Sequence, residues 1–200
     1  MFRYDVINRF ILERFNGTAS YLEIGLNKSA CFNRVQSNNK ISVDPNPSCG
    51  AAYVMTSDNF FASMKNTSNK WDVIFIDGLH IADQVYRDIQ NSLKFSTENG
   101  VVILHDCSPM TWQQAHSDWE NFSGSWNGSV WKALYYYKTT GEYLTYTVDT
   151  DYGIGIIDKT KAGQKIEHTN KFFDFGLMKS DRQRQLGLIS VSEFMQYSLM

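Results

Sequence analysis

The stretch that decides the fold is 72–107, which begins Asp72-Val-Ile-Phe-Ile-Asp-Gly-Leu-His80 and ends Gly100-Val-Val-Ile-Leu-His-Asp-Cys107. Each end contains a short apolar run, largely of β-branched residues, that stops at acid and imidazole side chains. Such runs are typical of strands buried on both faces, as in a parallel sheet. Between them, residues 81–95 carry apolar side chains at four-residue spacing, which predicts an amphipathic helix.

A strand, a helix and a strand within about 35 residues form a right-handed βαβ unit. Its two strands are parallel neighbours, roughly 4.8 Å apart. Asp77 directly follows the first strand, and the His105-Asp106 pair directly follows the second. We therefore expect these side chains to meet at the carboxyl edge of the sheet, where open α/β folds bind ligands.

The rest of the chain extends this unit in both directions. Amphipathic periodicity predicts helices over 3–15 and 130–138, a shorter helix over 29–36, and a helix that begins at the Thr56-Ser57-Asp58 cap. Strands are predicted over 20–25, 40–44 and 51–55, and an antiparallel hairpin over 142–157. We expect a Rossmann-like α/β fold, with a doubly wound, mostly parallel seven-stranded sheet that ends in the hairpin and has helices on both faces. The pattern indicates a single domain over 1–200, in which the polar tail 164–200 carries a closing helix over 190–199.

The bulk composition excludes several classes of partner. The chain has 200 residues, 42% of them hydrophobic, which is enough for one core, and its net charge is −2. A net charge of this sign and size does not predict the basic surface that binds nucleic acid or an anionic membrane. No stretch approaches the ~20 apolar residues of a membrane span, and the charged N-terminus is unlike a signal peptide. Three cysteines without metal-type spacing fit a reducing compartment. We expect a cytoplasmic protein.

The loop after the first predicted strand discriminates between two classes of nucleotide ligand. Dinucleotide sites use Gly-x-Gly-x-x-Gly, whereas Glu23-Ile-Gly25-Leu-Asn27 has one glycine, and Asn27 stands where the second would be. A ligand without phosphates, such as S-adenosylmethionine (SAM), needs less close backbone approach. Asp44, 19 residues after Gly25, can accept hydrogen bonds from both ribose hydroxyls. Ser57-Asp58 can reach the adenine amino group.

Five short motifs stand together at predicted strand ends: Glu23-x-Gly25, Val43-Asp44-Pro45, Thr56-Ser57-Asp58, Phe75-Ile76-Asp77-Gly78-x-His80 and Val102-Ile103-Leu104-His105-Asp106. Together they resemble the class I SAM-dependent methyltransferases, and more closely the small type called methyltransferase domain 24. The resemblance covers about 21–107, and more loosely reaches 157. It implies a SAM site, which we assign to Glu23, Gly25, Asn27, Asp44, Ser57, Asp58 and Asp77.

The resemblance extends to metal-dependent sugar O-methyltransferases that act on macrolide antibiotics. It implies that Asp77 and Asp106 hold a divalent cation and that His80 is the general base. The chain departs from that pattern at His105, where those enzymes carry a carboxylate, and we predict His105 as the third metal ligand. Two carboxylates and an imidazole suit Mn²⁺, Fe²⁺ or Zn²⁺ better than Mg²⁺. Two alternatives stay open, which are a buried structural role for His105 and a site without metal.

Residues 110–131 are rich in Trp, Ser, Asn and Gly and predict either a substrate lid or a surface segment held by its aromatic side chains. Trp112 and Trp119 lie in this stretch. Because Trp stacks on sugar faces and Asn hydrogen-bonds hydroxyls, we predict acceptor contacts from Trp126, Asn127 and Trp131. The expected function is transfer of a methyl group from SAM to a hydroxyl of a sugar or other small acceptor, with or without a divalent cation.

Two other functions compete with this one. An NAD-type oxidoreductase is favoured only by Asp44 and is opposed by the single-glycine loop. A non-catalytic module that binds SAM or a partner would keep the fold and use the Trp-rich segment as an interface. Assembly into a homo-oligomer is open in each case.

Overall fold

The computed structural model describes residues 1–116 and 124–199. Within them, a seven-stranded sheet has the order β2-β1-β3-β4-β6-β5-β7. The strands are β1 Ser20–Ile24, β2 Asn39–Val43, β3 Trp71–Ile76, β4 Ser96–Leu104, β5 Leu144–Val148, β6 Ile154–Asp158 and β7 Leu188–Ile189. Strands β2, β1, β3 and β4 are parallel. Strand β6 runs antiparallel to both β4 and β5, and β7 runs parallel to β5.

Helices cover both faces of this sheet. They are α1 Arg3–Phe15, α2 Ser57–Met64, α3 Ala82–Phe95, α4 Val130–Thr140, α5 Phe175–Ser180 and α6 Val191–Gln196, with a 3₁₀ turn at Phe32–Arg34 and a π turn at Gln183–Gly187. In the described ranges, no helix has the length and apolar character that crossing a membrane requires.

The apolar run of β3 contributes side chains to the hydrophobic clusters on both faces of the sheet, as the sequence predicts for a strand buried on two sides. Ile74 and Ile76 pack with the side chains of α2, α3 and α4. Val73 and Phe75 belong to the opposite cluster, which contains α1 and the Phe194 ring of α6. Because successive strand residues point to opposite faces, a continuous apolar run is what a doubly covered sheet requires.

Helix α1 has the predicted bounds, and helix α2 begins at the predicted cap. Helix α1 ends at Asn16, whose φ of 51° is left-handed, and the Asn16 amide donates to the Ile11 carbonyl. Helix α2 begins after Thr56, whose side-chain oxygen accepts a hydrogen bond from the Asn59 amide at 3.3 Å. Both signals are local, so they were readable in the sequence.

Two predicted elements are wrong, and one strand lay outside the predictions. Residues 51–55 form a single parallel bridge between Val43 and Tyr53 instead of a strand, because the chain turns into α2 immediately afterwards. Within the helix predicted over 29–36, only the 3₁₀ turn Phe32–Arg34 forms. The outermost strand, β7, comes from the polar tail and follows the predicted hairpin.

The register brings three strand ends to one level. Ile24 of β1 stands opposite Ile76 of β3, and Ile76 stands opposite Leu104 of β4. The Asp77 amide donates to the Ile24 carbonyl at 2.8 Å, and the His105 amide donates to the Ile76 carbonyl at 3.1 Å. The residues that follow these strands therefore share one edge of the sheet.

Candidate active site

One cavity of about 1260 Å³ runs along the carboxyl edge of the parallel strands. Most of the predicted site residues line it: Glu23, Gly25, Asn27, Asp44, Ser57, Asp77, His80, His105, Asp106 and Trp126. The same wall also contains Arg3, Asp88, Asp151 and Tyr152, which the sequence analysis did not single out. The cavity joins the predicted cofactor loop to the acid and imidazole cluster.

Gly25 is required where the first loop crosses the end of β3. Its φ is +90°, and a Cβ built on it would lie 2.1 Å from the Asp77 carbonyl oxygen. Any other residue would collide with backbone and would also be strained at this φ. The single glycine of the loop thus serves the packing of β1 against β3.

Asp44 is fixed by backbone amides on two sides. The Asn27 amide donates to Oδ2 at 3.0 Å, and the Asn46 amide donates to Oδ1 at 2.8 Å. Asp44 is 8% exposed and lines the cavity. Since a carboxylate has about four acceptor positions, lone pairs remain for ligand hydroxyls.

Glu23 is buried on β1, in the wall of the cavity. The Tyr21 hydroxyl donates to its Oε2 at 2.5 Å. Burial raises the pKa of Glu23 to about 7, although this hydrogen bond acts in the opposite direction. Glu23 therefore exchanges a proton near neutral pH, and its ionised form suits a cationic ligand group.

His80 stands between two carboxylates with its ring held in one orientation. Its Nδ1 lies 3.3 Å from the Trp126 carbonyl oxygen, so Nδ1 carries the proton there. Nε2 lies 3.4 Å from Oδ1 of Asp77 and 3.5 Å from Oδ2 of Asp106. The indole of Trp126 stacks on the imidazole at 5.0 Å between ring centres. This arrangement directs Nε2 toward both acids.

The charges of the cluster set its protonation. Burial opposes a proton on His80, but the hydrogen bond with Asp77 and the charges of Asp106 and Asp77 outweigh it and raise the pKa of His80. Burial likewise opposes ionisation of Asp77, yet interactions with His105, His80 and Arg3 lower the pKa of Asp77. Asp77 is thus kept as a carboxylate beside the imidazole of His80.

His105 has partners of its own at the rear of the cluster. It is 4% exposed, and its Nδ1 contacts Oδ2 of Asp106 at 2.8 Å and Oδ1 of Asp77 at 3.3 Å. Burial opposes its charge, but the hydrogen bond with Asp106 and the nearby carboxylates of Asp151 and Asp77 raise the pKa of His105 to about 11. His105 thus positions both acids, and it lies outside the group of Asp77, His80 and Asp106 that could hold a cation. Its ligand role stays a prediction.

Arg3 and Asp151 complete the cluster from distant parts of the chain. The Arg3 guanidinium donates to Oδ2 of Asp77 at 2.8 Å and, through Nε, to Oδ2 of Asp151 at 3.0 Å. Oδ1 of Asp151 lies 3.5 Å from Nε2 of His105. Arg3 stands two residues from the N-terminus and Asp151 in the hairpin turn, so no local motif marked either one.

Asp77, His80 and Asp106 offer ligand atoms within 4.8 Å of one another. A cation with ligands at about 2.1 Å has neighbouring ligand atoms about 3.0–3.4 Å apart, close to the spacing of Nε2 from both acids. Each acid keeps a lone pair beyond its present hydrogen bonds. The residues present therefore fit a divalent cation of the Mn²⁺, Fe²⁺ or Zn²⁺ type.

Three of the assigned ligand contacts need correction. Asn127 is fully buried, and its Nδ2 donates to Oδ1 of Asp106 at 3.0 Å, so it orients an acid and does not reach the cavity. Trp131 is fully buried in a separate core cluster with Tyr135 and Met178. Asp58 lies outside the cavity lining and pairs with Arg87 at 3.2 Å. Trp119 lies outside the described residues.

Comparisons with known proteins agree with this geometry. Residues 16–107 match the family described as "Methyltransferase domain". No curated protein matches the chain. Among solved structures, the O-methyltransferase from Bacillus cereus in complex with SAH is 15% identical, with a TM-score of 0.53 over 80% of this chain and 82% of that chain.

Two further structures share the fold. The O-methyltransferase TomG from Streptomyces achromogenes, in complex with SAM, is 15% identical, with a TM-score of 0.53 over 77% of this chain and 78% of that chain. The MycE methyltransferase of the mycinamycin biosynthetic pathway, in complex with Mg and SAH, is 11% identical, with a TM-score of 0.51 over 88% of this chain and 53% of that chain. Residues 16–107 thus match a methyltransferase domain, and the chain shares its fold with solved methyltransferases.

Proposed function

We propose that this chain is a SAM-dependent O-methyltransferase whose acceptor is a hydroxyl group of a sugar or another small molecule. The observation that carries the proposal is the single cavity that contains both the Asp44 carboxylate and the Asp77, His80 and Asp106 cluster. A nucleoside held by Asp44 and a hydroxyl beside His80 would then occupy one continuous cavity. This proximity is the main requirement of methyl transfer, because the attacking oxygen must lie in line with the sulfur–methyl bond.

Each residue of the cluster has its own role in the proposed reaction. When bound, SAM supplies an electrophilic methyl group on its sulfonium. Nε2 of His80 accepts the proton of the acceptor hydroxyl while the oxygen forms its bond to the methyl group and the sulfur–methyl bond breaks. Asp77 and Asp106 stabilise the resulting imidazolium. Trp126 covers the imidazole ring and limits water at it.

A divalent cation is a finer part of this proposal. Asp77 and Asp106 would hold it, and when bound it would lower the pKa of a hydroxyl at the cluster. His80 is a base or a ligand but not both, since each role uses Nε2. We assign the base role to His80, so that Asp77 and Asp106 would hold the cation without it.

The cation assignment has a test that does not depend on activity. Mn²⁺ bound to the chelator-treated protein is measured by electron paramagnetic resonance, with Asp106→Asn, His80→Gln and the distant control Asp58→Asn. We expect Asp106→Asn alone to weaken Mn²⁺ binding, by about tenfold or more. Equal loss in His80→Gln would assign Nε2 to the metal and overturn the base role.

Trp126 and the half-exposed Tyr152 support a small, hydroxylated acceptor. Both line the cavity, and the Ser125 hydroxyl lies 3.1 Å from the Tyr152 hydroxyl. Aromatic faces beside hydroxyl groups suit the C–H faces and hydroxyls of a sugar. We propose that the segment around Trp126 forms the acceptor wall, with Asn127 behind it.

The deciding experiment separates the three functions considered. Calorimetry with S-adenosylhomocysteine (SAH) is expected to give about micromolar affinity. SAH release is then followed with SAM and a panel of free sugars, glycosides and other alcohols. Binding without turnover on any acceptor favours the non-catalytic module. Binding of NADH, followed by nicotinamide fluorescence, without binding of SAH would contradict the methyltransferase proposal.

A further inference from the structure

Asp88 is a buried acid in the cavity wall that the proposed reaction does not use. It lies on α3, is 1% exposed, and lines the cavity beside Ser57 and Gln84. Its Oδ1 accepts hydrogen bonds from the Ser57 hydroxyl at 2.6 Å and from the Gln84 amide at 3.1 Å. Within the described residues, Asp88 has no salt bridge and its Oδ2 accepts no hydrogen bond. One carboxylate oxygen is thus left for a ligand.

This arrangement is unfavourable for the empty protein. A buried carboxylate without a cation is destabilising, and here two neutral donors share one of its oxygens. Burial raises the pKa of Asp88 to about 6. The nearby Arg87 guanidinium pairs with Asp58, at the half-exposed surface. A hydrogen-bond donor on a ligand would give the free oxygen the partner that the chain does not supply.

The position of Asp88 identifies the part of the ligand that it meets. Asp44, at the end of β2, is the carboxylate suited to ribose hydroxyls. Ser57 is the first residue of α2, and its hydroxyl donates a hydrogen bond to Asp88. Pro45 and Leu79 line the same cavity. The heterocyclic base of a nucleoside held by Asp44 would lie here, with its edge toward Ser57 and Asp88.

We propose that Asp88 is the residue that selects adenine, through a hydrogen bond from the exocyclic amino group of the base to Oδ2. The proposal rests on the proposed function, because it takes the adenosine of SAM as the occupant of this cavity. It transfers the adenine contact from Asp58 to an acid on α3, 30 positions further along the chain. Ser57 and Gln84 position the carboxylate.

The experiment compares SAH with S-inosylhomocysteine, which differs at two neighbouring positions of the base. At C6 it carries an oxo acceptor in place of the amino donor, and at N1 it carries an N–H in place of an acceptor. Calorimetry at about pH 8, where Asp88 is ionised, is expected to show the inosine analogue binding the wild type about 10- to 100-fold more weakly than SAH.

Asp88→Asn should reverse this preference. Ser57 and Gln84 both donate to the inner oxygen, so they hold the amide oxygen of the variant and turn its NH₂ group toward the base. That group matches the oxo acceptor and opposes the amino donor. We expect SAH affinity to fall about 10- to 100-fold and the inosine analogue to bind better than SAH. Asp88→Ala should reduce the discrimination to within about threefold.

Asp58→Asn is the matched control, and we expect it to keep the wild-type affinities for both ligands. If Asp88→Asn and Asp88→Ala keep the wild-type preference, or the wild type binds SAH and the inosine analogue equally, the assignment of Asp88 is wrong while the proposed function stands. If the wild type binds neither ligand, both proposals fall.

Discussion

The two ends of the cavity are built in different ways. At the end proposed for the cofactor, Asp44 is held by backbone amides of Asn27 and Asn46, which lie 17 and 2 residues away. At the end proposed for the acceptor, Asp77 is held by Arg3, 74 residues away, and Arg3 in turn binds Asp151, 148 residues away. One end is a set of strand-end loops, and the other is a charge network drawn from the whole chain. A local site tolerates changes elsewhere, whereas a distributed network depends on the complete fold.

The largest expected effect lies at the acceptor end. We expect His80→Ala to lower kcat by about 10²- to 10⁴-fold, because the acceptor hydroxyl loses its proton acceptor. SAH affinity should stay within about threefold, since the cofactor end is separate. Calorimetry and SAH release measure the two quantities. Full turnover by His80→Ala would show that another group is the base.

The counterpart at the cofactor end is Asp44→Ala. Loss of charge-assisted hydrogen bonds to the ribose hydroxyls should weaken SAH binding by about 10- to 100-fold. Saturating SAM should restore kcat to near the wild-type value, because the acceptor cluster is intact. A matched fall in kcat at saturation would mean that the two ends are not independent.

Arg3 tests whether the distributed network positions Asp77. We expect Arg3→Ala to lower kcat by about tenfold with little change in SAH affinity, because Asp77 and Asp151 lose their shared donor. Arg3→Lys should recover only part of the rate, since an ammonium does not reproduce the fork that contacts two acids. If Arg3→Ala is as active as the wild type, Arg3 serves stability alone.

The smallest effect is a pH-dependent change in stability from Asp88. Its folded pKa, about 6, is above the unfolded value of about 3.9, so the folded state loses stability as pH rises from about 4 through 6. Asp88→Asn removes this loss. Thermal unfolding should therefore show the variant gaining stability relative to the wild type at pH 8, but not at pH 4. Equal shifts at both pH values would assign the effect to packing.

Much of the fold was readable because its signals are local. The apolar runs before Asp77 and His105 predicted adjacent buried strands, and the register of β3 and β4 confirms them. The caps at Asn16 and Thr56 marked two helix boundaries. The strand predicted over 51–55 failed because a short apolar segment carries no information on how many partners it finds.

In the candidate site, too, residues with a local sequence signal could be predicted and residues without one could not. The position of Asp44, Asp77 and His80 at the cavity could be predicted, because each follows a strand whose end is visible in the sequence. Trp131 could not be excluded, since an aromatic residue near the cavity and one in the core have the same local pattern. Asp88 could not be predicted, because the sequence of a helix does not distinguish a buried acid from a solvent-exposed one.

The sequence by itself determined most of the strands and helices from α1 to β6, and it determined that acids and imidazoles follow the central strands. It did so because hydrophobic periodicity and caps act over a few residues. Only the tertiary structure decided that Arg3 and Asp151 reach Asp77, that Asn127 supports Asp106, and that Asp88 faces the cavity while Asp58 faces solvent. Such contacts depend on side-chain direction across packed elements, and no short segment encodes that direction.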